Sequence, residues 1–216
     1  DHRSSEITKD ELKRLATQVR MASLLSGKPG VLHMHTGSGK QGLKEVMEVV
    51  EESNIPIKHF RPTHCGHLVE DAVAFANMGG YIDFTAGSAQ KAAAILADVI
   101  KRVPYDRVTL SSDSNGSMPM WNEKKELIGM GVGKITVLYD AIRYMITELG
   151  TPLPTAIGLI TANVAKGLEM YPKKGCLAKG SDADITILDG DYRIDSVMAR
   201  GKWLQMDKKV KKIGMY

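Results

Sequence analysis

The chain has 216 residues, a formal net charge of +4, 43% hydrophobic residues and 25% charged residues, a composition typical of globular domains. It contains three Phe and two Trp and no basic stripe interleaved with aromatic residues, which argues against nucleic-acid binding. No apolar run reaches the roughly 20 residues that a membrane helix needs. Cys65 and Cys176 lie in no paired motif, which predicts reduced thiols and a cytoplasmic protein.

Strand-like and helical patterns alternate through the first half of the chain. The patterns predict a helix at 6–24, strands at 31–35, 58–64, 81–85 and 107–113, and helices between them near 43–50, 68–76 and 92–100. Strict alternation favours an α/β fold with a parallel sheet and right-handed crossovers. The pattern alone fits both half of an eight-stranded barrel and an open, doubly wound sheet, and the chain is short for a complete barrel of roughly 250 residues.

The second half changes character. The pattern of residues 118–132 predicts a long loop or hairpin, which would lie over the candidate site described below. Helices are predicted at 133–149 and 154–168. From 173 to 216, short alternating runs separated by turns predict a small antiparallel β module. Such a module is too short to bury a core alone. We expect it to pair with strands outside this chain or to pack on the barrel.

Three residues that can bind metal close predicted strands: His35, His64 and Asp113. In a barrel of alternating strands and helices the active site lies at the carboxyl ends of the strands, and imidazole with carboxylate suits zinc. Asp113 could bind the metal, take the proton of an attacking water and pass it to a leaving amine. His33 lies two residues before His35, so it could be a second ligand or a packed residue. The register implied by the resemblance described below favours the packed role. Cys65 could be a nucleophile, but burial is the simpler expectation.

These residues belong to longer motifs. They are Asp1-His2-Arg3-Ser4, Gly27-Lys28-Pro29-Gly30-Val31, His35 with Gly37 and Lys40, Pro62-Thr63-His64, Val108 to Asp113 with Asn115-Gly116-Ser117, and Gly180 to Asp184 with Ala199-Arg200-Gly201. With them the chain resembles the carboxyl-terminal part of the isoaspartyl dipeptidase (β-aspartyl peptidase) family, a member of the amidohydrolase superfamily. The opening motif and the stretch around Asp113 are the most specific to that family.

The resemblance implies a distorted (β/α)8 barrel with a small β-sandwich. Residues 1–172 would supply barrel strands five to eight, and residues 173–216 part of the sandwich. It also implies two zinc ions bridged by a carboxylated lysine and a hydroxide. His35 and His64 would bind one zinc, and Asp113 would bind the other and act as general base. Arg3 and Ser117 would contact the substrate, Arg3 by a two-pronged hydrogen bond to a carboxylate.

The activity that the resemblance implies is zinc-dependent hydrolysis of β-aspartyl dipeptides by a metal-bound hydroxide, in a homo-oligomer. Alternatives are another amidohydrolase acting on a cyclic amide or an N-acyl amino acid, and a non-catalytic scaffold. One departure bears on specificity, because His67 stands where the family pattern has a substrate-binding arginine. A histidine cannot make the same two-pronged contact.

The chain begins with neither a signal peptide nor a methionine, so we expect it to be part of a longer protein. The resemblance puts a His-x-His pair and the bridging lysine before Asp1. We therefore expect this segment alone to be inactive.

Overall fold

The computed structural model describes residues 7–37, 39–124 and 126–213. Four short strands alternate with helices through its first half. The elements are α1 (Lys9–Ser26), β1 (Leu32–His35), α2 (Lys44–Glu52), β2 (Phe60–Thr63), α3 (Val69–Asn77), β3 (Ile82–Thr85), α4 (Ala89–Val99) and β4 (Val108–Ser111). β1 pairs with β2 and β3 pairs with β4, both in parallel. The α/β fold predicted from the alternation is confirmed.

The strands start later than the sequence predicts. Single turns of 3-10 helix at Ile57–His59 and Tyr105–Arg107 directly precede β2 and β4. Each follows a proline, Pro56 or Pro104, whose fixed φ favours the start of a turn. The two strands also end earlier than predicted, at Thr63 and Ser111, so His64 and Asp113 lie just beyond β2 and β4 rather than inside them.

Helix α1 begins with a capping box. The hydroxyl of Thr8 accepts from the backbone N–H of Glu11, and the Glu11 carboxylate accepts from the Thr8 N–H, which satisfies two backbone donors at the helix start. The helix ends at Gly27 with φ 63°. Leu12 and Ala16 are buried. Leu15, which the pattern places on the apolar face of the helix, is 38% exposed, so the buried face is narrower than predicted.

The side chains of β1 to β4 form two faces, because alternate residues of a strand point to opposite sides. The apolar face consists of Leu32, Met34, Phe60, Pro62, Ile82, Phe84, Val108 and Leu110. Its central members join helix residues such as Val49 and Leu96 in the hydrophobic core. The polar face consists of His33, His35, Arg61, Thr63, Asp83, Thr85, Thr109 and Ser111. The polar residues of these strands therefore share one face of each parallel pair, β1–β2 and β3–β4.

The next segment begins with the antiparallel hairpin β5 (Ser117–Trp121) and β6 (Leu127–Val132), which is one of the two forms that the sequence predicted. Helix α5 (Val137–Thr147) follows and starts later than predicted. The single helix predicted at 154–168 is wrong. The chain forms two helices, α6 (Leu153–Gly158) and α7 (Ala162–Gly167).

A tight turn causes the break between α6 and α7. Leu159, Ile160 and Thr161 donate to carbonyls three residues back, and Thr161 leaves the helical region with φ −131° and ψ −89°. The turn aims the Leu159 carbonyl at the N–H of Leu110 in β4, at 3.2 Å. A continuous helix would have used that carbonyl internally.

The chain ends in an antiparallel sheet. Its strands are β7 (Ile185–Leu188), β8 (Ile194–Ala199), β9 (Lys202–Met206) and β10 (Lys209–Val210), in the order β10-β9-β8-β7. Hydrogen bonds join its first turn to α5. The Tyr139 hydroxyl donates to the carbonyl of Tyr192, and the Arg143 side chain donates to that of Asp191. In the part of the chain that is described, no helix has the length and apolar character needed to cross a membrane.

Candidate metal centre

His35 and His64 meet at the carboxyl ends of β1 and β2. His35 is the last residue of β1, paired with Thr63. His64 follows at once in the left-handed region, with φ 63° and ψ 30°, a conformation that is uncommon outside glycine. This backbone turns the His64 ring toward the neighbouring strand. His35 Nδ1 and His64 Nε2 are 2.9 Å apart, with ring centroids 4.8 Å apart.

The second ring nitrogen of His64, Nδ1, also has a hydrogen-bond partner. His64 Nδ1 lies 2.7 Å from the hydroxyl of Thr85, at the end of β3. When His64 Nδ1 carries the proton and donates to Thr85, the lone pair of Nε2 points toward His35. Histidines that bind metals commonly hold their second nitrogen in such a hydrogen bond, which orients the ring.

The electrostatic environment favours a neutral His64. Burial lowers the pKa of His64, and the negative charge of Asp113, the next largest influence, opposes that shift. The pKa of His33 is also lowered, first by burial and then by the positive charge of His35. Because only a neutral imidazole binds a metal ion, the lowered pKa of His64 keeps it ready to do so at neutral pH.

Asp113 lies two residues beyond β4, in a turn that is held by backbone hydrogen bonds. Its φ is 49°, and its carbonyl accepts from the N–H of Gly116. The base of the β5–β6 hairpin closes over this turn. Asn115 donates to the Gly133 carbonyl, and Gly133 donates to that of Gly116. The Asp113 side chain is exposed.

The structure brings two of the three predicted ligands together. Over residues 7–37, 39–124 and 126–213, no group of three or more His, Cys, Asp or Glu side chains is close enough to hold a metal ion. His35 and His64 are in direct contact. Asp113 influences the charge of His64 without completing a three-residue cluster with the two histidines.

The histidine pair fits a zinc ion. Two nitrogens bound to one tetrahedral zinc lie about 3.3 Å apart, given Zn–N distances of about 2.0–2.1 Å. The 2.9 Å between His35 Nδ1 and His64 Nε2 therefore needs to open by only a few tenths of an ångström. Two imidazole nitrogens at this spacing match the ligand preference of zinc.

The other predicted residues have varied positions. Arg3 lies outside the described residues. Ser117 begins β5 at the base of the hairpin. His33 is exposed on the polar face and contacts the His35 ring edge-on, with centroids 5.2 Å apart.

Cys65 is fully buried, and burial raises the pKa of its thiol to about 12, so it is not a nucleophile in this structure. His67 Nε2 donates to the carbonyl of Gly37 at 2.9 Å.

Sequence reasoning missed two polar-face residues, Asp83 and Thr85. Asp83 is 6% exposed and accepts three hydroxyl hydrogen bonds, while Thr85 contacts His64. A usable signal was present. Each of the four strands carries two polar residues at positions i and i+2, and a charged residue within an otherwise apolar strand is rarely buried without a partner.

Comparison with known protein families identifies the family of this chain. Residues 88–204, more than half of the chain, match the amidohydrolase family. The chain belongs to this family. The superfamily predicted from the sequence motifs is therefore confirmed.

Solved structures of this family resemble the whole chain. A β-aspartyl dipeptidase from Fervidobacterium islandicum AW-1, in complex with a β-Asp-Leu dipeptide, is 33% identical with a TM-score of 0.91 and covers 100% of this chain. Another structure of a β-aspartyl dipeptidase from F. islandicum AW-1 is 32% identical with a TM-score of 0.86. The chain spans 59% and 56% of these two structures, less than two thirds of either.

A more distant solved structure shares the fold alone. An adenosine deaminase from Xanthomonas campestris with bound zinc is 13% identical, with a TM-score of 0.59. The match covers 96% of this chain and 51% of that structure.

Proposed function

We propose that the protein containing this chain is a zinc-dependent hydrolase of β-aspartyl dipeptides. The observation that carries the proposal is the contact between His35 and His64 at adjacent strand ends. The similarity to a β-aspartyl dipeptidase bound to β-Asp-Leu supports the substrate class. Hydrolysis of an amide at neutral pH needs an activated water and a polarised carbonyl, which a divalent metal supplies.

The chain's own residues have distinct roles in this proposal. His35 and His64 would hold the metal through neutral nitrogens. Asp113, on an exposed turn two residues beyond β4, would accept the proton of the attacking water and deliver it to the leaving amine. Ser117 at the base of the hairpin and Arg3 would bind the dipeptide. Arg3 suits the carboxylate of the substrate because its guanidinium can form two parallel hydrogen bonds.

We further propose that residues 1–172 form strands five to eight of a (β/α)8 barrel and that residues 173–216 belong to a small β-sandwich. The remaining metal ligands, including a carboxylated lysine that bridges two zinc ions, would come from other parts of the protein. This segment alone would then be inactive. A cytoplasmic location and a homo-oligomeric state remain predictions.

His67 favours a second candidate function within the same family. The resemblance implies an arginine at this position, whereas His67 uses its Nε2–H on the Gly37 carbonyl. A substrate with a weaker need for a carboxylate contact, such as a cyclic amide or an N-acyl amino acid, would fit this difference. A non-catalytic scaffold is the alternative outside enzymes.

A substrate panel separates these possibilities. The full-length protein would be stripped of metal, reloaded with zinc and assayed with β-Asp-Leu, α-Asp-Leu, a cyclic amide and an N-acyl amino acid. The proposal predicts hydrolysis of β-Asp-Leu only, its loss in His64→Ala, and its retention in His59→Gln. His59 is a suitable control because it is a buried histidine that contacts Gly30. Hydrolysis of another amide would support the second candidate, and no hydrolysis with zinc restored would support the scaffold.

A further inference from the structure

Asp83 joins three neighbouring strands through one carboxylate. Its Oδ2 accepts from the hydroxyls of Thr63 in β2 and Ser111 in β4, each at 2.6 Å. Its Oδ1 accepts from the hydroxyl of Thr109 at 2.8 Å. Asp83 lies in β3 between these strands and is 6% exposed. A single buried oxygen therefore connects β2 to β4 across β3.

The residues that Asp83 holds are next to the candidate chemistry. Thr63 directly precedes His64, and Ser111 lies two residues before Asp113. The Thr63 carbonyl also accepts from both the N–H and the hydroxyl of Thr36, the residue after His35. A shift of Thr63 would therefore displace the backbone next to both His35 and His64.

Asp83 is poorly suited to bind substrate or metal itself. Its carboxylate already accepts three hydrogen bonds, and it could turn toward a metal only by giving up those from the buried hydroxyls of Thr63 and Thr109, which is costly. We infer that Asp83 is a positioning residue, which sets the relative position of His64 and Asp113 through Thr63 and Ser111. The inference rests on the proposed metal site, and it adds to that site a residue that touches neither metal nor substrate.

The alternative is that the network only stabilises the sheet. The two roles predict different effects of mutation. Loss of a purely structural network would lower the stability of the protein without changing the metal site. Ser196 provides a matched control. It is a buried hydroxyl, 3% exposed, that donates to the carboxylate of Asp195 in the antiparallel sheet.

The test measures zinc affinity of the full-length protein by competition with a chromophoric chelator, together with the visible spectrum of the cobalt-loaded protein and the melting temperature without metal. Asp83→Asn is expected to weaken zinc binding about 10- to 100-fold, the usual effect of losing a residue that orients a metal ligand. Its cobalt spectrum is expected to change. Thr63→Val should weaken binding in the same direction, and Thr63→Ser, which keeps the hydroxyl, should restore it. Ser196→Ala should lower the melting temperature and leave both metal readouts unchanged.

The outcomes separate this inference from the proposed function. Wild-type protein that binds neither zinc nor cobalt would reject the metal site and the positioning role together. Wild-type protein that binds zinc, with unchanged affinity and cobalt spectrum in Asp83→Asn and Thr63→Val, would reject the positioning role alone. If Asp83→Asn does not fold, the comparison of Thr63→Val with Thr63→Ser decides the question.

Discussion

His35 and His64 are 29 residues apart in the chain, and their ring nitrogens are 2.9 Å apart in the structure. The contact depends on parallel pairing of β1 with β2, which sets His35 opposite Thr63, and on the left-handed backbone of His64. The strand pairing brings the two residues to one edge of the sheet, and the unusual backbone turns the second ring toward the first.

The hydroxyl of Thr85 should be needed for tight zinc binding, because it lies 2.7 Å from His64 Nδ1. Thr85→Val removes this contact while keeping the shape of the side chain, and we expect zinc affinity to fall about 10- to 100-fold. Thr85→Ser keeps the hydroxyl and is the matched control. Competition with a chromophoric chelator measures both. Equal affinities for the two variants would show that Thr85 does not orient the ring.

Replacing His67 by arginine should improve binding of a β-aspartyl dipeptide. Arginine carries a full charge at neutral pH and can form two hydrogen bonds to a carboxylate. A charge-assisted hydrogen bond exceeds a neutral one by about 1 kcal/mol, so we expect KM for β-Asp-Leu to fall about fivefold in His67→Arg, with little change in kcat. His67→Gln, which keeps an uncharged N–H donor, should not lower KM. An unchanged KM in His67→Arg would argue against a substrate carboxylate near this position.

Gly133 should be essential for the turn that presents Asp113. A Cβ atom at Gly133 would lie 2.7 Å from the Asp113 carbonyl oxygen, so Gly133→Ala must displace that turn. Overpacking of this kind costs about 1–3 kcal/mol of folding free energy, and we expect kcat to fall as Asp113 moves. Gly131→Ala is the matched control in the same hairpin, because the nearest atom to its Cβ would be 3.6 Å away. Chemical denaturation and steady-state kinetics measure both effects. Identical kcat values for the two variants would contradict a catalytic Asp113.

The two thiols of the chain should differ in reactivity. Cys65 is 0% exposed and its thiol pKa is raised to about 12, so the reactive thiolate is scarce at any pH at which the protein is handled. Cys176 is partly exposed. Treatment of the native protein with iodoacetamide, followed by peptide mass spectrometry, should label Cys176 and leave Cys65 unmodified until the protein is denatured. Rapid labelling of Cys65 in the native state would contradict its burial.

The alternation of strands and helices could be predicted from the sequence, because the period of apolar residues changes clearly between them. Element ends could not. The 3-10 turn before β2 begins with Ile57, an apolar residue that is equally compatible with a strand. The break between α6 and α7 was also hidden, because it depends on a hydrogen bond from Leu110 to Leu159, 49 residues apart in the chain.

The candidate site could be predicted only in part. Strand-end positions identified His35 and His64, since parallel strands bring their carboxyl ends to one edge. The role of Asp83 required the register of β2, β3 and β4, which no local pattern gives. The position of Asp113 depends on the turn that Gly116 and Gly133 hold through backbone hydrogen bonds, and the local pattern around these glycines does not reveal that packing.

The most direct test of the metal site is X-ray diffraction from crystals of the zinc-loaded full-length protein, with data collected on both sides of the zinc absorption edge. We predict an anomalous peak about 2.0–2.1 Å from His64 Nε2 and from a ring nitrogen of His35. A zinc peak bound elsewhere, with the two histidines still in direct contact with each other, would contradict the proposed centre.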